Sequence, residues 1–347
     1  MVDATSLRSR LRHPPSLAQV YREKAIEALL SVCATVSLVA IFLIFLFLFK
    51  EGIIAFKLAG VGDFIVAKIS EVTFDPVTEE FTKTETTGYV WQPVSDQPKL
   101  SFVPLVWGSL LIAALAATVS TIVGIACGLY LSEMAGRKLR GRLKPLMELL
   151  VSIPTVVIGF FMLAIIAYPL RAFADWAGAA LAPILGDWVS SIYTDTFNAF
   201  IGALGVSIVI IPVIASLVDD SLQSVPQDLR DGSFALGATR WQTSWRVVLP
   251  AGFSGVAAAV ILGFGRALGE TMIVVMCAGN AAQLSANPFD SVTTMTARIA
   301  TEMGTAGVGS LHQHTLFLVG STLVTVTFFL NLLAEVIVQK YRSRIVS

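Results

Sequence analysis

Two stretches of this chain carry side chains able to do chemical or mechanical work. In the first, Arg266, Glu270 and Thr271 lie inside the apolar run LGFGRALGETMIVVMCAGN, residues 262–280. An ionised side chain at the centre of a bilayer is costly, so it must face protein or a water-filled cavity and find a partner. A spacing of four puts Arg266 and Glu270 on one face of a helix. A guanidinium presents a planar fork of donors that meets two oxygens of an oxyanion at once, where a lysine offers only a point charge. Glu270 paired with Arg266 would partly neutralise it and keep an anion from being held too tightly to leave. Thr271 would add a hydroxyl donor. The alternative is a structural ion pair that fixes helix packing and never meets a substrate.

The second stretch is the polar loop that feeds this apolar run, residues 224–250. Ser224 and Gln227 have the capping-box spacing, and Pro226 falls where its missing donor costs nothing, so a helix is expected to start there. Gly237 allows a tight bend or a close backbone approach. Trp241 and Trp245 come one turn apart on a second helical segment before Pro250. Such a loop is either a surface to be gripped by another protein or an amphipathic stretch with its tryptophans among lipid headgroups.

These stretches need elements to hold them, and the composition says which. Hydrophobic residues make up 55% of the chain and charged ones 14%, with a mean hydropathy of +0.76, which marks a polytopic membrane protein. A spanning helix needs about 20 mostly apolar residues. Six segments qualify, at roughly Ala25 to Phe49, Val103 to Leu131, Leu146 to Leu170, Phe197 to Val218, Phe253 to Ala278 and Leu316 to Val338. Long continuous runs of this kind imply helices and not barrel strands.

Lysines and arginines set the expected orientation, because positive loops stay in the cytoplasm. Arg8, Arg10, Arg12, Arg22 and Lys24 precede the first span. Arg137, Lys138, Arg140, Arg142 and Lys144 follow the second, and Lys340, Arg342 and Arg344 close the chain. With six spans all three groups share one side, which places both termini inside. Asp175, Asp187 and Asp195 then fall outside, as does the acidic segment from Glu51 to Asp96. No cleavage pattern follows the first apolar run, so it is expected to remain as an anchor.

The segment from Glu51 to Ser101 is punctuated by Gly60, Gly62, Pro76, Gly88, Pro93 and Pro98. It reads as irregular structure with a strand pair around Glu71 to Val90. Cys33, Cys127 and Cys277 all fall in spans, where a thiol acts as a small apolar group, and they give neither a disulfide framework nor metal spacing. His13 lies in the basic tail; His312 and His314 flank the outer start of the last span and read as interfacial polar residues, with no metal assigned. Gly108, Ser109, Gly124 and Gly128 give the second span a small-residue face suited to helix packing. Pro154 and Pro212 each interrupt a span, as kink or hinge. Glu148 and Glu335 lie near cytoplasmic ends and are given no chemistry. No nucleotide-cradling G-x-x-x-x-G-K-[ST], no H-E-x-x-H and no nucleophilic triad is present, so no catalytic residue is assigned.

The spacing Asp231, Gly232, Ser233, then Gly237, then Val247, Leu249 and Pro250 resembles the EAA loop of ABC importer permeases, with Asp, Gly, Ser and Val standing where that motif has Glu, Ala, Ala and Ile. LGFGRALGETMIVVMCAGN is in turn similar to the matching span of phosphate importer permeases of the Pst type, closer to their C subunit than to their A subunit. FVPLVWGSL (102–110) and MELLVSIPTVVIGF (147–160) support the likeness, which covers Pro104 to the C-terminus. The resemblance implies an all-α polytopic protein with the type I importer (MetI-like) fold. Residues 1–24 would be a cytoplasmic basic segment, 25–49 the first transmembrane helix, 50–102 a periplasmic insertion, 103–338 the permease core and 339–347 a cytoplasmic tail.

It further implies a subunit forming half of a phosphate path through Arg266, Glu270 and Thr271. The loop would couple that path to an ATPase through Asp231, Gly232, Ser233, Gly237, Leu249 and Pro250. The expected partners are a second, PstA-like permease subunit, PstB-like ATPase subunits that use ATP and magnesium, a periplasmic PstS-like phosphate-binding protein, phosphate and membrane lipid, but no nucleic acid. The chain itself would bind no cofactor or metal and would sit in the bacterial inner membrane. A permease for sulfate or molybdate is the near alternative. An ion-coupled secondary transporter using Glu270 as a relay is the distant one, and it lacks the internal repeat usual in that class.

Overall fold

The structure, a computed structural model, describes residues 17–74, 81–95, 97–185 and 195–346. Arg8, Arg10, Arg12, His13, Pro76, Asp96 and Asp187, named above, lie outside the described residues. The chain divides into two compact units, Met1–Glu51 and Gly52–Ser347. The first is helical from Leu17 onward and belongs to α1 (Leu17–Leu58). Its apolar side chains, Leu38, Phe42 and Leu46 among them, are exposed, as a lipid-facing helix requires.

The second unit holds everything else. An outer insertion opens it, with strands β1 (Ala67–Phe74) and β2 (Phe81–Gly88) paired antiparallel from Ala67 opposite Gly88 to Phe74 opposite Phe81. The strand pair expected near Glu71 to Val90 is this hairpin. A second small pair, β3 (Trp91–Gln92) and β4 (Lys99–Leu100), sets Trp91 opposite Leu100.

Among the described residues twelve more α-helices follow: α2 (Val103–Leu129), α3 (Arg137–Val151), α4 (Thr155–Phe161), α5 (Tyr168–Leu185), α6 (Ala199–Gln223), α7 (Gln227–Ala235), α8 (Arg240–Thr243), α9 (Leu249–Ala251), α10 (Phe253–Gly269), α11 (Met272–Cys277), α12 (Met295–Glu302) and α13 (Leu311–Val346). Three π-helical turns, Tyr130–Met134, Met162–Ala167 and Ser244–Val248, extend or join them. Among the described residues five stretches are long and apolar enough to cross a membrane: Tyr21–Leu58, Val103–Met134, Thr155–Ala180, Ala199–Gln223 and Leu311–Val336. The bent pair Arg240–Ala251 and Phe253–Gly269, which meet at 75°, makes a sixth if counted as one span.

Two expected spans are corrected. The third does not run from Leu146 to Leu170. Pro154 pushes Ile153 away from helical geometry, so α3 ends at Val151 and a new helix begins at Thr155. The basic first turns of α3 can therefore lie along the surface while Thr155–Ala180 forms the span. The fifth does not continue from Phe253 to Ala278, because α10 stops at Gly269 and Glu270 is extended, with φ −68° and ψ 132°.

α6 is the hub of the core. In its apolar stretch 67% of residues are buried, against 28% in the α2 span and 22% in the α4–α5 span, so it is the more enclosed by protein. Ile210, Ile214, Val218 and Leu222, four apart, are all but fully buried along one stripe. α2 meets that stripe with small residues. A Cβ on Gly124 would come within 2.8 Å of Ile214 Cβ, and one on Gly128 within 2.7 Å of Val218 Cβ. The small face seen in the sequence is thus a backbone-close crossing.

Gly128→Leu is expected to lower the unfolding temperature of the detergent-solubilised protein by several degrees, since overpacking a close contact costs about 1–3 kcal/mol. Gly141→Ala, inside α3 where a Cβ would meet nothing within 4 Å, should leave the protein as stable or up to about 1 kcal/mol more stable.

Candidate functional site

Arg266, on the last turn of α10, is exposed and lines a cavity of about 620 Å³ with Leu262, Val213 of α6, and Asn331 and Glu335 of α13. Glu270 does not join it there. With the helix ended at Gly269, the four-residue spacing no longer stacks the two side chains, and among the described residues no ion pair links them. The expected Arg266–Glu270 pair is corrected to an exposed arginine beside a backbone break.

That break is held from several sides. Non-helical backbone at membrane depth is tolerated only where its polar groups find partners within the protein. The Thr271 N–H donates to the Glu270 carboxylate at 3.2 Å, and the Thr271 hydroxyl to the Gly269 carbonyl at 3.2 Å. Thr296 Oγ1, on α12, donates to the Glu270 carbonyl at 2.9 Å. Glu270 and Thr271 thus serve the turn in this conformation.

α12 links that turn to the outer elements. Arg298 donates from Nη2 to the Asn280 carbonyl at 2.6 Å and from Nη1 to Glu302 at 2.8 Å. Glu302 also accepts the Trp91 indole N–H, at 3.0 and 3.1 Å to its two oxygens, and lies 2.9 Å from His312 Nε2. His312 and His314 are buried, each 9% exposed, and so are not the interfacial residues expected. One carboxylate therefore fastens the insertion, α12 and α13 together. No cluster of three or more metal-ligating side chains occurs among the described residues.

The loop after α6 forms a knob. α7 starts at Gln227, as expected, but without the capping box: Ser224 ends α6 and donates its hydroxyl to the Ser221 carbonyl at 2.6 Å. The capping box is instead Thr239 with Gln242, at 2.9 and 3.3 Å, and it starts α8. Between them Gly237 has φ +83°, and a Cβ there would meet nothing within 4 Å. The glycine serves the bend and not a close approach, because a left-handed φ is costly for other residues.

Asp231 and Gly232 are exposed on α7, and Asp231 accepts from Gln227 Nε2 at 3.1 Å. The Ser233 hydroxyl meets that of Thr243 at 2.9 Å and ties α7 to α8. Trp241 and Trp245 stack with centroids 5.9 Å apart. Both are exposed, as are Leu229 and Phe234, and Leu236 is 91% exposed. Leu249 and Pro250 are not part of this surface. Leu249 packs against the core and Pro250 begins the last turn before Gly252, at the 75° bend that leads into α10.

Two ionic clusters that the sequence reading missed lie at this end of the spans, one fastening the knob and the other joining α3 to α6. Arg230, on the inward side of α7, donates to the Leu222 and Val225 carbonyls at 2.7 and 2.6 Å. It also forks onto Glu133, at 2.8 and 3.2 Å. The two side chains are only 11% and 9% exposed, so α7 is locked both to the end of α6 and to the π turn after α2. Asp219, fully buried, accepts from Arg140 at 2.9–3.3 Å and from Lys144 at 3.2 Å, and Lys144 also pairs with Asp220. Burial works against the Lys144 ammonium, but hydrogen bonds and charge from Asp220 and Asp219 outweigh it and raise its pKa above 10.5. With the folded value above the unfolded one, this contribution is complete below 10.5 and lost only as pH rises through the folded value. The basic residues read above as orientation signals are, at Arg140 and Lys144, also counter-ions.

Comparisons with known proteins identify the family and the fold. The family model described as "Binding-protein-dependent transport system inner membrane component" matches residues 120–343. A Bacillus subtilis (strain 168) protein described as a probable ABC transporter permease protein, YqgH, is 33% identical over 88% of this chain and 87% of its own. A phosphate transport system permease protein PstC from Mesorhizobium japonicum is 29% identical over 74% of this chain and 79% of its own. Among solved structures, a bacterial ABC transporter involved in the import of the acidic polysaccharide alginate aligns at a TM-score of 0.56 and 17% identity, over 92% of this chain and 98% of that one. At that identity it speaks to the fold alone, the type I importer permease.

Arg230→Met is expected to cost about 3–5 kcal/mol of stability, because it leaves Glu133 buried and unpaired. Adding Glu133→Leu should recover most of the loss. Unfolding of the three proteins in detergent checks both.

Proposed function

The chain belongs to the family of binding-protein-dependent transport inner membrane components, a multi-pass inner membrane permease of an ABC importer, and from that premise we propose that its cargo is phosphate. The observation that carries the reading is Arg266: a guanidinium exposed in a cavity at the end of a spanning helix, with no carboxylate of its own helix beside it. Its fork matches the tetrahedral oxygens of an oxyanion, and relatives named for phosphate transport support the same substrate.

Glu270 and Thr271 contribute differently from the neutralising pair first expected. They hold the chain open around a turn, and their side chains are partly exposed. Release of the Glu270 carboxylate from the Thr271 N–H would bring a negative charge toward Arg266 and help an anion leave. The same sites suit sulfate or molybdate on charge alone, and phosphate is preferred on the relatives' names.

Asp231, Gly232, Ser233 and Gly237 form, on this reading, the face that an ATPase subunit grips, with Leu229, Phe234, Leu236 and the stacked tryptophans as its apolar contacts. Leu249 and Pro250 act as the bend through which the grip is passed to α10. ATP and magnesium belong to that PstB-like partner. A PstA-like permease subunit completes the path, and a PstS-like binding protein delivers phosphate on the side of the β-hairpins. Both termini are then cytoplasmic, following the basic segments.

Arg266→Gln should abolish ATP-driven phosphate uptake by the assembled transporter in proteoliposomes and leave assembly unchanged; normal uptake would sink the pathway role. Gly237→Val, which forces a β-branched residue into a left-handed φ, should prevent the ATPase subunit from copurifying. Full copurification would remove the knob from the coupling role.

A further inference from the structure

Among the described residues Thr293 Oγ1, Arg298 Nε and Asn331 Oδ1 are buried side-chain atoms without a hydrogen-bond partner, and of these residues Asn331 is the one that lines the cavity of Arg266. Asn331 sits midway along α13, opposite Gly265, where a Cβ on the glycine would come within 3.3 Å of the amide oxygen. That oxygen is buried and has no hydrogen-bond partner. Asn331 shares the 620 Å³ cavity with Arg266, the next residue after Gly265, and with Glu335, one turn further along α13. Much of the remaining wall is apolar, including Val213, Ile261 and Leu262.

A buried acceptor with no partner is destabilising, and it is worse placed in a membrane, where no solvent compensates for it. A leucine in its place would cost nothing of that kind. Arg266 stands about 20 Å along α10 from Phe253, at the rise of an ideal helix, which places the amide near it well away from the helix start. An orphan acceptor beside an exposed guanidinium suits a ligand with both acceptors and a donor. Hydrogen phosphate is such a ligand: its bare oxygens take the guanidinium fork, and its P–O–H can donate to the amide oxygen. Sulfate near neutral pH has no proton to give and would leave that oxygen unanswered.

We propose that Asn331 is a substrate-contacting residue of the path, its buried Oδ1 turning into the cavity when hydrogen phosphate is bound to accept the P–O–H hydrogen bond while Arg266 binds the bare oxygens. Glu335, one turn on, offers the next acceptor for the same proton, and its charge discourages the anion from lingering. This deepens the phosphate reading and rests on it. It also assigns discrimination between protonated and unprotonated oxyanions to the membrane subunit, in addition to any exercised by the external binding protein.

The test is phosphate uptake by the assembled transporter, with its ATPase and binding protein, in proteoliposomes. Asn331→Leu should cut the maximal rate about tenfold or more, the effect of one hydrogen bond to a charged group. The phosphate concentration at half-maximal rate, set by the binding protein, should not move. Asn331→Ser, which keeps a donor and an acceptor, should recover part of the rate. A purely structural residue would show the reverse, with assembly or stability lost and the serine no better than the leucine. If the Asn331→Leu complex does not assemble, Asn331→Ala, which adds no bulk, decides on the same readout. Wild-type import with an unimpaired Asn331→Leu or Asn331→Ala complex overturns this inference alone. A wild-type complex that imports no phosphate overturns the substrate reading, and this inference with it.

Discussion

No water reaches the hydrocarbon interior of a bilayer, so every charge and every open backbone group there has to be answered from within the protein. The positions of the polar residues in this chain follow from that constraint. Asp219 is answered by Arg140 and Lys144, Glu133 by Arg230, and Glu302 by Trp91, Arg298 and His312. The open backbone at Glu270 is answered by its own carboxylate and by Thr296. Each of these answers also ties two or more elements together. Arg266, which is exposed, and Asn331, whose amide oxygen is among the buried atoms without a partner, line one cavity.

The ties have a direction. On one side of the core Arg230 fixes the knob to α6 and to the turn after α2, and Leu249 and Pro250 turn the chain by 75° into α10. α10 ends at the Glu270 break, which α12 holds through Thr296. α12 is held in turn to the outer insertion through Glu302 and Trp91. The knob is thus joined through the bend to α10, which runs past Arg266 to a turn held by α12. Buried ion pairs suit such links better than apolar contacts, because a charge that slides off its partner is left unpaired at high cost.

Much of this was legible in the residues. The apolar runs marked the membrane elements, Gly124 and Gly128 marked a close helix crossing, and Gly237 marked a bend. Glu71 to Val90 marked the hairpin. What escaped was set by context over distance. Gly269–Glu270–Thr271 lies inside a long apolar run, and the tertiary hydrogen bond from Thr296, together with the local ones made by Thr271, makes stopping the helix there tolerable. Leu146 and Pro154 read as one span because hydropathy does not register the geometry that proline imposes on Ile153. Ser224 looked like a cap by spacing, yet it closes the preceding helix. Arg140 and Lys144 were counted as topology signals, though an aspartate just past the apparent end of a span was the hint of their partner. Asn331 and Glu335 gave no signal until α13 was seen beside α10.

The central claim is that α10 presents Arg266 to water and not to lipid. Thiol accessibility tests it most directly. With Cys33, Cys127 and Cys277 replaced by alanine, single cysteines placed at 259, 262, 263 and 266 in the assembled transporter would be exposed to a charged, water-soluble thiol reagent. Positions 262 and 266, which line the cavity, should be modified, and Ala259 and Gly263, which are buried, should not. Modification at 266 should slow when phosphate-loaded binding protein and ATP are present. Protection of 262 and 266 from the reagent under all conditions would place that face against lipid or a neighbouring helix and contradict the account.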